Sequence, residues 1–167
     1  MRKIRTILSV TAVTAVAVAA VSAGTAAQTT SAPGPNIVET AASAGKFKTL
    51  TTLVKKARLV RALQAKGPYT VFAPTDAAFA KVPRATLARL ARNRAKLRSV
   101  LLLHVANGRL TAAKLTKRRS LTTLNGQRLA IRFRRGNVFV GGARVVTPDV
   151  TASNGVIHAI NKVLLPR

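Results

Sequence analysis

Apolar residues recur with a helical period over the part of the chain that follows residue 35. Asn36 has the side chain of an N-cap, and Glu39 stands at the third helical position, where it completes a capping box. This first helix is predicted to end near Gly45. A second helix begins by Phe47 and places four apolar residues on one face: Leu50, Leu53, Val54 and Ala57.

Short helices and one strand are predicted next. A third helix precedes residues 69–73, which have the pattern of a buried strand because they are apolar on both faces. Pro74 ends that strand, and Thr75 or Asp76 caps a short helix after it. Beyond Pro83 a helical stretch carries four spaced leucines: Leu87, Leu90, Leu97 and Leu101.

From Val105 onward the apolar residues alternate with a period of two, which is typical of strands. Asn125-Gly126 lies between two such runs and is the strongest short hairpin signal in the chain. A second turn is predicted at Gly136-Asn137. Two further strands complete the pattern: 144–147 and 156–165. Because helices fill the first half and antiparallel hairpins the second, the sequence predicts an α+β fold.

The N-terminal region has the three parts of a secretory signal: a basic start, an uncharged apolar run and small-residue cleavage patterns. The apolar run, residues 7–21, is short for a spanning helix, and a retained membrane anchor is the alternative. Residues 28–35 are polar and contain Pro and Gly, as linkers do. We therefore expect a secretory signal at 1–27, a linker at 28–35, and one exported domain at 36–166.

The composition excludes several kinds of chemistry. The chain has no Cys, which excludes disulfides, thiolate metal sites and cysteine nucleophiles. It has three carboxylates, on Glu39, Asp76 and Asp149, and we expect Asp76 to be a helix cap. The two histidines, His104 and His158, cannot close a metal site unaided, so both are expected to be hydrogen-bonded core residues. No cofactor is expected.

Two long motifs stand at residues 70–79 (TVFAPTDAAF) and 154–166 (NGVIHAINKVLLP). They resemble the first and the second signature box of fasciclin domains. The flanks agree, with NIVE at 36–39, GPY before the first box and LHV at 103–105 between the boxes. The resemblance covers essentially the whole chain beyond the predicted linker.

The resemblance implies a wedge of two β-sheets with helices packed around it, in a secreted or surface-exposed protein. It also implies a role in adhesion, usually without catalysis. Pro148 and Asp149 lie where some animal members carry a Pro-Asp adhesion motif, so they are a candidate adhesion loop. Leu103 stands where the family often has Tyr, and Asn161 where it often has Asp, which removes a hydroxyl and a charge.

The resemblance does not explain the basic charge. The chain has 29 Lys and Arg against 3 Asp and Glu, and the formal charge beyond residue 27 is still +23. On the predicted strand 128–134 the arginines alternate with apolar residues that are expected to face the core: Leu129, Ile131 and Phe133. The candidate contacts for an anionic polymer are twelve basic residues: Arg84, Arg89, Arg92, Arg94, Lys96, Arg98, Lys117, Arg118, Arg119, Arg128, Arg132 and Arg134.

Guanidinium groups suit phosphate, sulfate and carboxylate, so the excess of Arg predicts contact with an anionic polymer. A wall polymer, an acidic polysaccharide and extracellular DNA are the candidate partners of an exported protein. A merely solvated basic surface is the alternative. The six aromatic residues are placed mostly in the predicted core, which argues against dedicated nucleic-acid recognition through base stacking.

We therefore predict a secreted, non-catalytic adhesion or surface-association domain, extracellular or associated with the cell wall. One alternative is a cationic protein that binds nucleic acid or membranes. Another is a small hydrolase acting on an acidic polymer, which would need converging acid and base groups. Ser153, His158 and Asp149 are near one another in sequence, but their spacing on a strand does not bring Ser to His. No small-molecule substrate is expected.

Overall fold

Seven helices and seven strands occupy residues 34–166, the residues that this computed structural model describes. The helices are α1 (Ile37–Ser43), α2 (Lys48–Lys56), α3 (Val60–Gln64), α4 (Asp76–Ala80), α5 (Arg84–Arg92), α6 (Arg94–Leu103) and α7 (Ala112–Thr116). The strands are β1 (Tyr69–Pro74), β2 (Val105–Asn107), β3 (Ser120–Thr122), β4 (Arg128–Arg134), β5 (Asn137–Val140), β6 (Ala143–Ala152) and β7 (Gly155–Ile160). The predicted signal at 1–27 and the linker up to residue 33 lie outside the described residues.

Local caps determine where two of the N-terminal helices begin. The Asn36 side chain accepts the backbone N–H groups of Val38 and Glu39, at 3.0 and 3.1 Å, and Glu39 accepts the N–H of Asn36 at 3.0 Å. The predicted capping box of α1 is therefore confirmed. Thr75 caps α4 through its hydroxyl, which accepts the N–H of Ala78 at 3.3 Å.

The strands are hydrogen-bonded in the order β2-β1-β7-β6-β5-β4-β3. The two signature segments meet inside the sheet, next to its β2 edge, where β1 and β7 run parallel with Phe72 opposite His158. The other strand pairs are antiparallel. Both faces of β1 and β7 are buried, as parallel strands require, which agrees with the apolar pattern of residues 69–73.

Two apolar clusters cover the two faces of this parallel pair. Val71 and Ile157 belong to the first, which we call the helical core because α1 to α6 supply most of it. Phe72 and Ile160 point the other way into the second, which we call the sheet core because β3 to β6 supply much of it. The alternation of side chains along β1 and β7 therefore gives the protein one core on each side.

The α+β class and the concentration of helices in the N-terminal half are confirmed. The two sheets that the resemblance implied are joined by β6. That strand pairs with β5 through Ala143 and Arg144 and with β7 from Val145 onward. The seven strands therefore form one hydrogen-bonded series.

The pattern missed one helix, α7, in the region that was predicted to contain only strands. The N-cap of α7, Thr111, makes no side-chain hydrogen bond to the helix. The carboxylate of Asp149 instead accepts the N–H of Ala112 at 2.8 Å. The start of α7 therefore depends on a residue 37 positions away, which no local pattern reveals.

The structure also corrects several boundaries. The helical stretch after Pro83 divides at Asn93, whose side chain accepts the N–H of Lys96 at 3.1 Å and caps α6. Strand β6 extends well beyond the predicted 144–147 because register shifts let it continue past irregular positions. Strand β7 ends at Ile160 rather than at residue 165.

Candidate functional site

The arginines of β4 lie on the outer face of the sheet. Leu129 and Ile131 are buried in the sheet core, with 9% and 6% of their surface exposed. Arg128, Arg132 and Arg134 alternate with them and are exposed. The predicted register is therefore correct. The expected burial is wrong at the end of the strand, because Phe133 faces the same side as Ile131 but is 56% exposed.

The sheet adds one arginine that the sequence analysis missed. Arg132 lies opposite Phe139 on β5, and Phe139 lies opposite Arg144 on β6. Residues directly opposite each other share a face, so the half-buried Phe139 stands between two exposed arginines. Two strand spacings place the two arginine backbones about 10 Å apart. Only the pairing of β5 with β6 identifies Arg144 as part of this surface.

A second basic segment adjoins β4. The backbone N–H of Ile131 donates to the carbonyl of Arg119 at 2.8 Å, so residues 117–119 approach β4 just ahead of β3. All three of these residues are exposed. We call the surface formed by Arg128, Arg132, Arg134 and Arg144 the arginine sheet face. Lys117, Arg118 and Arg119 adjoin it at the β3 edge, where Arg119 lies opposite the core-facing Ile131.

The remaining candidate cations lie on a different part of the fold. Helices α5 and α6 carry them, and all are exposed: Arg84, Arg89, Arg92, Arg94, Lys96 and Arg98. The apolar residues of the same helices, Leu87 and Leu97 among them, pack on the helical core. The six exposed cations, which we call the basic helix pair, therefore lie on helices that cover the helical core, whereas β4 covers the sheet core.

The three carboxylates of the chain are all engaged at helix N-termini. Glu39 completes the capping box of α1, and Asp149 accepts the first N–H of α7. Asp76 begins α4 and also accepts the N–H of Thr49 in α2 at 2.9 Å. Partial burial raises the pKa of Asp76, but hydrogen bonds from Thr49 and Lys48 outweigh this effect and hold that pKa below its usual value.

The candidate adhesion loop lies on β6, where Pro148 and Asp149 are both exposed. Asp149 has a φ of +56°, in the left-handed region, and occupies the register shift between Thr147 and Val150. Its carboxylate binds α7 while its N–H donates to the Nδ1 of His158 at 3.2 Å. The aspartate is therefore a structural link between β6, α7 and β7.

His158 is completely buried between the two strands that flank it and stacks on Phe72, with ring centroids 5.6 Å apart. Its Nε2 lies 2.6 Å from the carbonyl of Leu110 and donates to it, because Nδ1 accepts the N–H of Asp149. Burial lowers the pKa of His158, although the Leu110 carbonyl and the charge of Asp149 oppose this. The interpretation of His158 as a hydrogen-bonded core residue is confirmed.

His104 has an equivalent role at the end of α6. Its Nδ1 donates to the carbonyl of Val100 at 2.7 Å, and its Nε2 accepts the N–H of Leu164 at 2.9 Å. Burial lowers the pKa of His104 to about 4, and the Val100 carbonyl only partly opposes this. The neutral ring therefore links α6 to the segment that follows β7.

The hydrolase arrangement considered for Ser153, His158 and Asp149 does not form. Both ring nitrogens of His158 are occupied by Leu110 and Asp149, so neither is free to accept a proton from Ser153. Among residues 34–166, no group of three His, Asp or Glu side chains is placed to hold a metal ion. Within the same part of the chain, no helix is long and apolar enough to cross a membrane.

Comparisons with known proteins agree on one family. The family model of the fasciclin domain matches residues 45–166. The uncharacterized protein sll1735 of Synechocystis is 45% identical over 78% of this chain and 98% of its own length. The transforming growth factor-beta-induced protein ig-h3 of Oryctolagus cuniculus is 30% identical over 85% of this chain, which spans 21% of that protein.

A solved structure shares the fold. It is a FAS1 domain pair from the insect cell adhesion molecule fasciclin I, with a TM-score of 0.59 and 22% sequence identity. The match covers 73% of this chain and 46% of the solved chain.

Proposed function

This chain belongs to the fasciclin domain family, and we propose that it is a secreted, non-catalytic domain that associates with surfaces by contacting anionic polymers. Proteins with this domain are typically related to adhesion. The arginine sheet face is the proposed contact surface, and a wall polymer or an acidic polysaccharide is the proposed partner. The basic helix pair is a secondary contact.

One observation carries the proposal. All the candidate cations are exposed, while each of the three carboxylates accepts hydrogen bonds at the start of a helix. The three carboxylates are too few to balance the 26 Lys and Arg residues beyond residue 27, which leaves a formal charge of +23. Counter-ions or an anionic partner must therefore balance the positive charge of the surface. When a polyanion binds and displaces the counter-ions, their release into solution raises the entropy and favours binding.

The geometry of the sheet favours multivalent contact. Residues two apart along β4 are separated by about 6.6 Å, and neighbouring strands by about 4.8 Å. Arg132, Arg134 and Arg144 therefore form a grid on a rigid support, so binding orders only side chains. Each guanidinium can donate two parallel hydrogen bonds to a carboxylate, sulfate or phosphate.

The engagement of the acid–base groups supports a non-catalytic function. His104 and His158 have both ring nitrogens bonded within the cores, and Asp76 and Asp149 cap helices. A hydrolase would need such groups to converge at an open cleft. Contact without turnover is the mode of action that these residues favour.

The proposal is tested with the chain from Gln28 onward. Residues 34–166 belong to one compact unit, and both apolar cores lie within residues 37–164, so this part is expected to fold by itself. Its affinity for polygalacturonate, an acidic polysaccharide, is measured at several NaCl concentrations. Duplex DNA serves as a second polyanion because its salt dependence is calibrated.

Two triple variants locate the contact. Replacing Arg128, Arg132 and Arg134 by Gln should make the DNA slope of log affinity against log salt shallower by up to about 3. The matched control replaces three cations of the basic helix pair by Gln: Arg84, Arg89 and Arg92. A smaller change in the control supports the sheet face as the main contact. Equal changes would instead mean that only net charge matters, and no salt-dependent binding to either polymer would refute the proposed function.

A further inference from the structure

The β4–β5 hairpin ends in a tight turn with an unusual residue at its tip. Arg134 lies opposite Asn137, so the turn consists of Arg135 and Gly136, one position earlier than predicted. Both have positive φ, +48° and +74°, as a type I′ turn requires. Asn or Gly is preferred at the first of these positions, because most other residues strain the backbone at positive φ. The chain nevertheless places an exposed arginine at it.

An exposed aromatic ring stands beside this tip. Phe133 is on the same side of β4 as Leu129 and Ile131 but lies beyond the sheet core, and it is 56% exposed. Its partner across the hairpin, Val138, is buried. Phe133 has the largest exposed fraction among the large apolar side chains that are exposed in residues 34–166.

The cations and the ring occupy one small exposed element, the end of the β4–β5 hairpin, where Arg132 and Arg134 face the opposite side of β4 from Phe133. Arg132, Arg134 and Arg135 adjoin Phe133 in sequence, and all are exposed. One phenyl ring offers far less apolar area than the roughly 800 Å² per partner of a stable protein interface. A dissolved polyanion would be bound by the arginines without any gain from the ring. A lipid bilayer with anionic headgroups suits both, since it attracts the cations and removes the ring from water.

We propose that the tip of the β4–β5 hairpin docks on anionic lipid bilayers, with Phe133 entering the boundary between headgroups and acyl chains. The three neighbouring arginines then contact lipid phosphates. This inference goes beyond the proposed contact with polymers. Arg132 and Arg134 belong to both surfaces, whereas Phe133 and Arg135 belong to the hairpin tip alone. Variants of Phe133 therefore test it separately from polymer binding.

The absence of Trp from the chain makes a direct test possible. In Phe133→Trp, made in the chain from Gln28 onward, the indole is a unique fluorophore at the tip. Vesicles of phosphatidylglycerol and phosphatidylcholine should shift its emission to the blue, and brominated acyl chains should quench it. Pure phosphatidylcholine vesicles should have neither effect. Leu124→Trp is the matched control, because Leu124 is exposed at the opposite end of β4 and should be unaffected.

Two further variants separate insertion from folding. Phe133→Ser should lower the affinity for the anionic vesicles, measured by co-sedimentation, by about tenfold, because the ring no longer leaves water on binding. Arg135→Asn should weaken it by about fivefold through the loss of one cation. The same change supplies a residue that the turn prefers, so thermal stability should be equal or higher.

Several results would overturn the proposal. Unchanged emission of Phe133→Trp on anionic vesicles, or equal shifts in both Trp variants, would exclude insertion of the tip. So would binding of Phe133→Ser at full strength. Phe133→Ser keeps Arg132, Arg134 and Arg135, so its polymer binding should be unchanged while its vesicle binding falls. An equal loss of polymer and vesicle binding would mean that the ring does not act through a bilayer.

Discussion

Gly155 illustrates what a single residue contributes where the two signature segments meet. It lies opposite Tyr69 across the parallel pair. A Cβ at Gly155 would collide with the Tyr69 carbonyl oxygen and would lie 2.8 Å from the Ile37 side chain. The preceding Asn154 accepts the N–H of Ile37 at 2.9 Å and donates to the carbonyl of Leu63 at 2.6 Å. The Asn-Gly pair therefore joins α1 and α3 to the central strands.

We predict that Gly155→Ala lowers the free energy of unfolding by about 3 kcal/mol, the upper range for forcing an extra carbon into a packed site. The displaced groups would be backbone, which cannot move without disturbing the ladder. Urea denaturation measures the loss. Gly34→Ala is the control, because a Cβ there meets nothing within 4 Å, and it should change stability by less than about 0.5 kcal/mol. Equal stability of the two variants would contradict this account.

At the scale of elements, α7 and β6 depend on each other through Asp149. Helix α7 has only five residues and no local side-chain cap, so isolated helix propensity cannot maintain it. Asp149 supplies the missing acceptor from a register shift of β6, and the same residue donates its N–H to His158. The candidate adhesion loop, Pro148 and Asp149, therefore also has a structural role.

We predict that Asp149→Ala lowers the free energy of unfolding by about 1–2 kcal/mol, because α7 loses its cap and Ala is strained at positive φ. Asp149→Asn should lose less than half of that, since Asn can accept the same hydrogen bond and tolerates the left-handed conformation. Chemical denaturation of both variants provides the comparison. A stable Asp149→Ala protein that no longer binds its surface partner would identify the loop as a contact site instead.

For the whole molecule, the two buried histidines couple folding to pH. Both have a lowered pKa in the folded state because of burial, so the unfolded chain binds protons that the folded chain excludes. Their contribution to the free energy of unfolding is fully present above the ordinary histidine pKa of about 6.5. It is lost as the pH falls toward the pKa of the folded state. For His104 that value is about 4.

We predict that the free energy of unfolding falls by about 3 kcal/mol between pH 7 and pH 4 through His104 alone, with a further loss from His158. Thermal denaturation at fixed ionic strength measures it. His104→Gln should flatten the profile even if it lowers stability at pH 7. A wild-type profile that is flat from pH 7 to 4.5 would refute the prediction.

The sequence by itself determined the features that depend on neighbours in the chain. The capping box at Asn36, the hairpin at Asn125-Gly126 and the outward row that begins at Arg128 each follow from residues a few positions apart. The two signature segments also identified the family before any contact was known. Caps, turns and alternation act over one or two turns of chain, which is why local patterns reveal them.

Only the tertiary structure decided the features whose partners are far away in sequence. Helix α7 needs Asp149, Arg144 joins the arginine sheet face through the pairing of β5 with β6, and the exposure of Phe133 depends on where the sheet core ends. Periodicity states which side of a strand a residue faces, but not whether anything covers that side. The core must be assembled from both halves of the chain before that question has an answer.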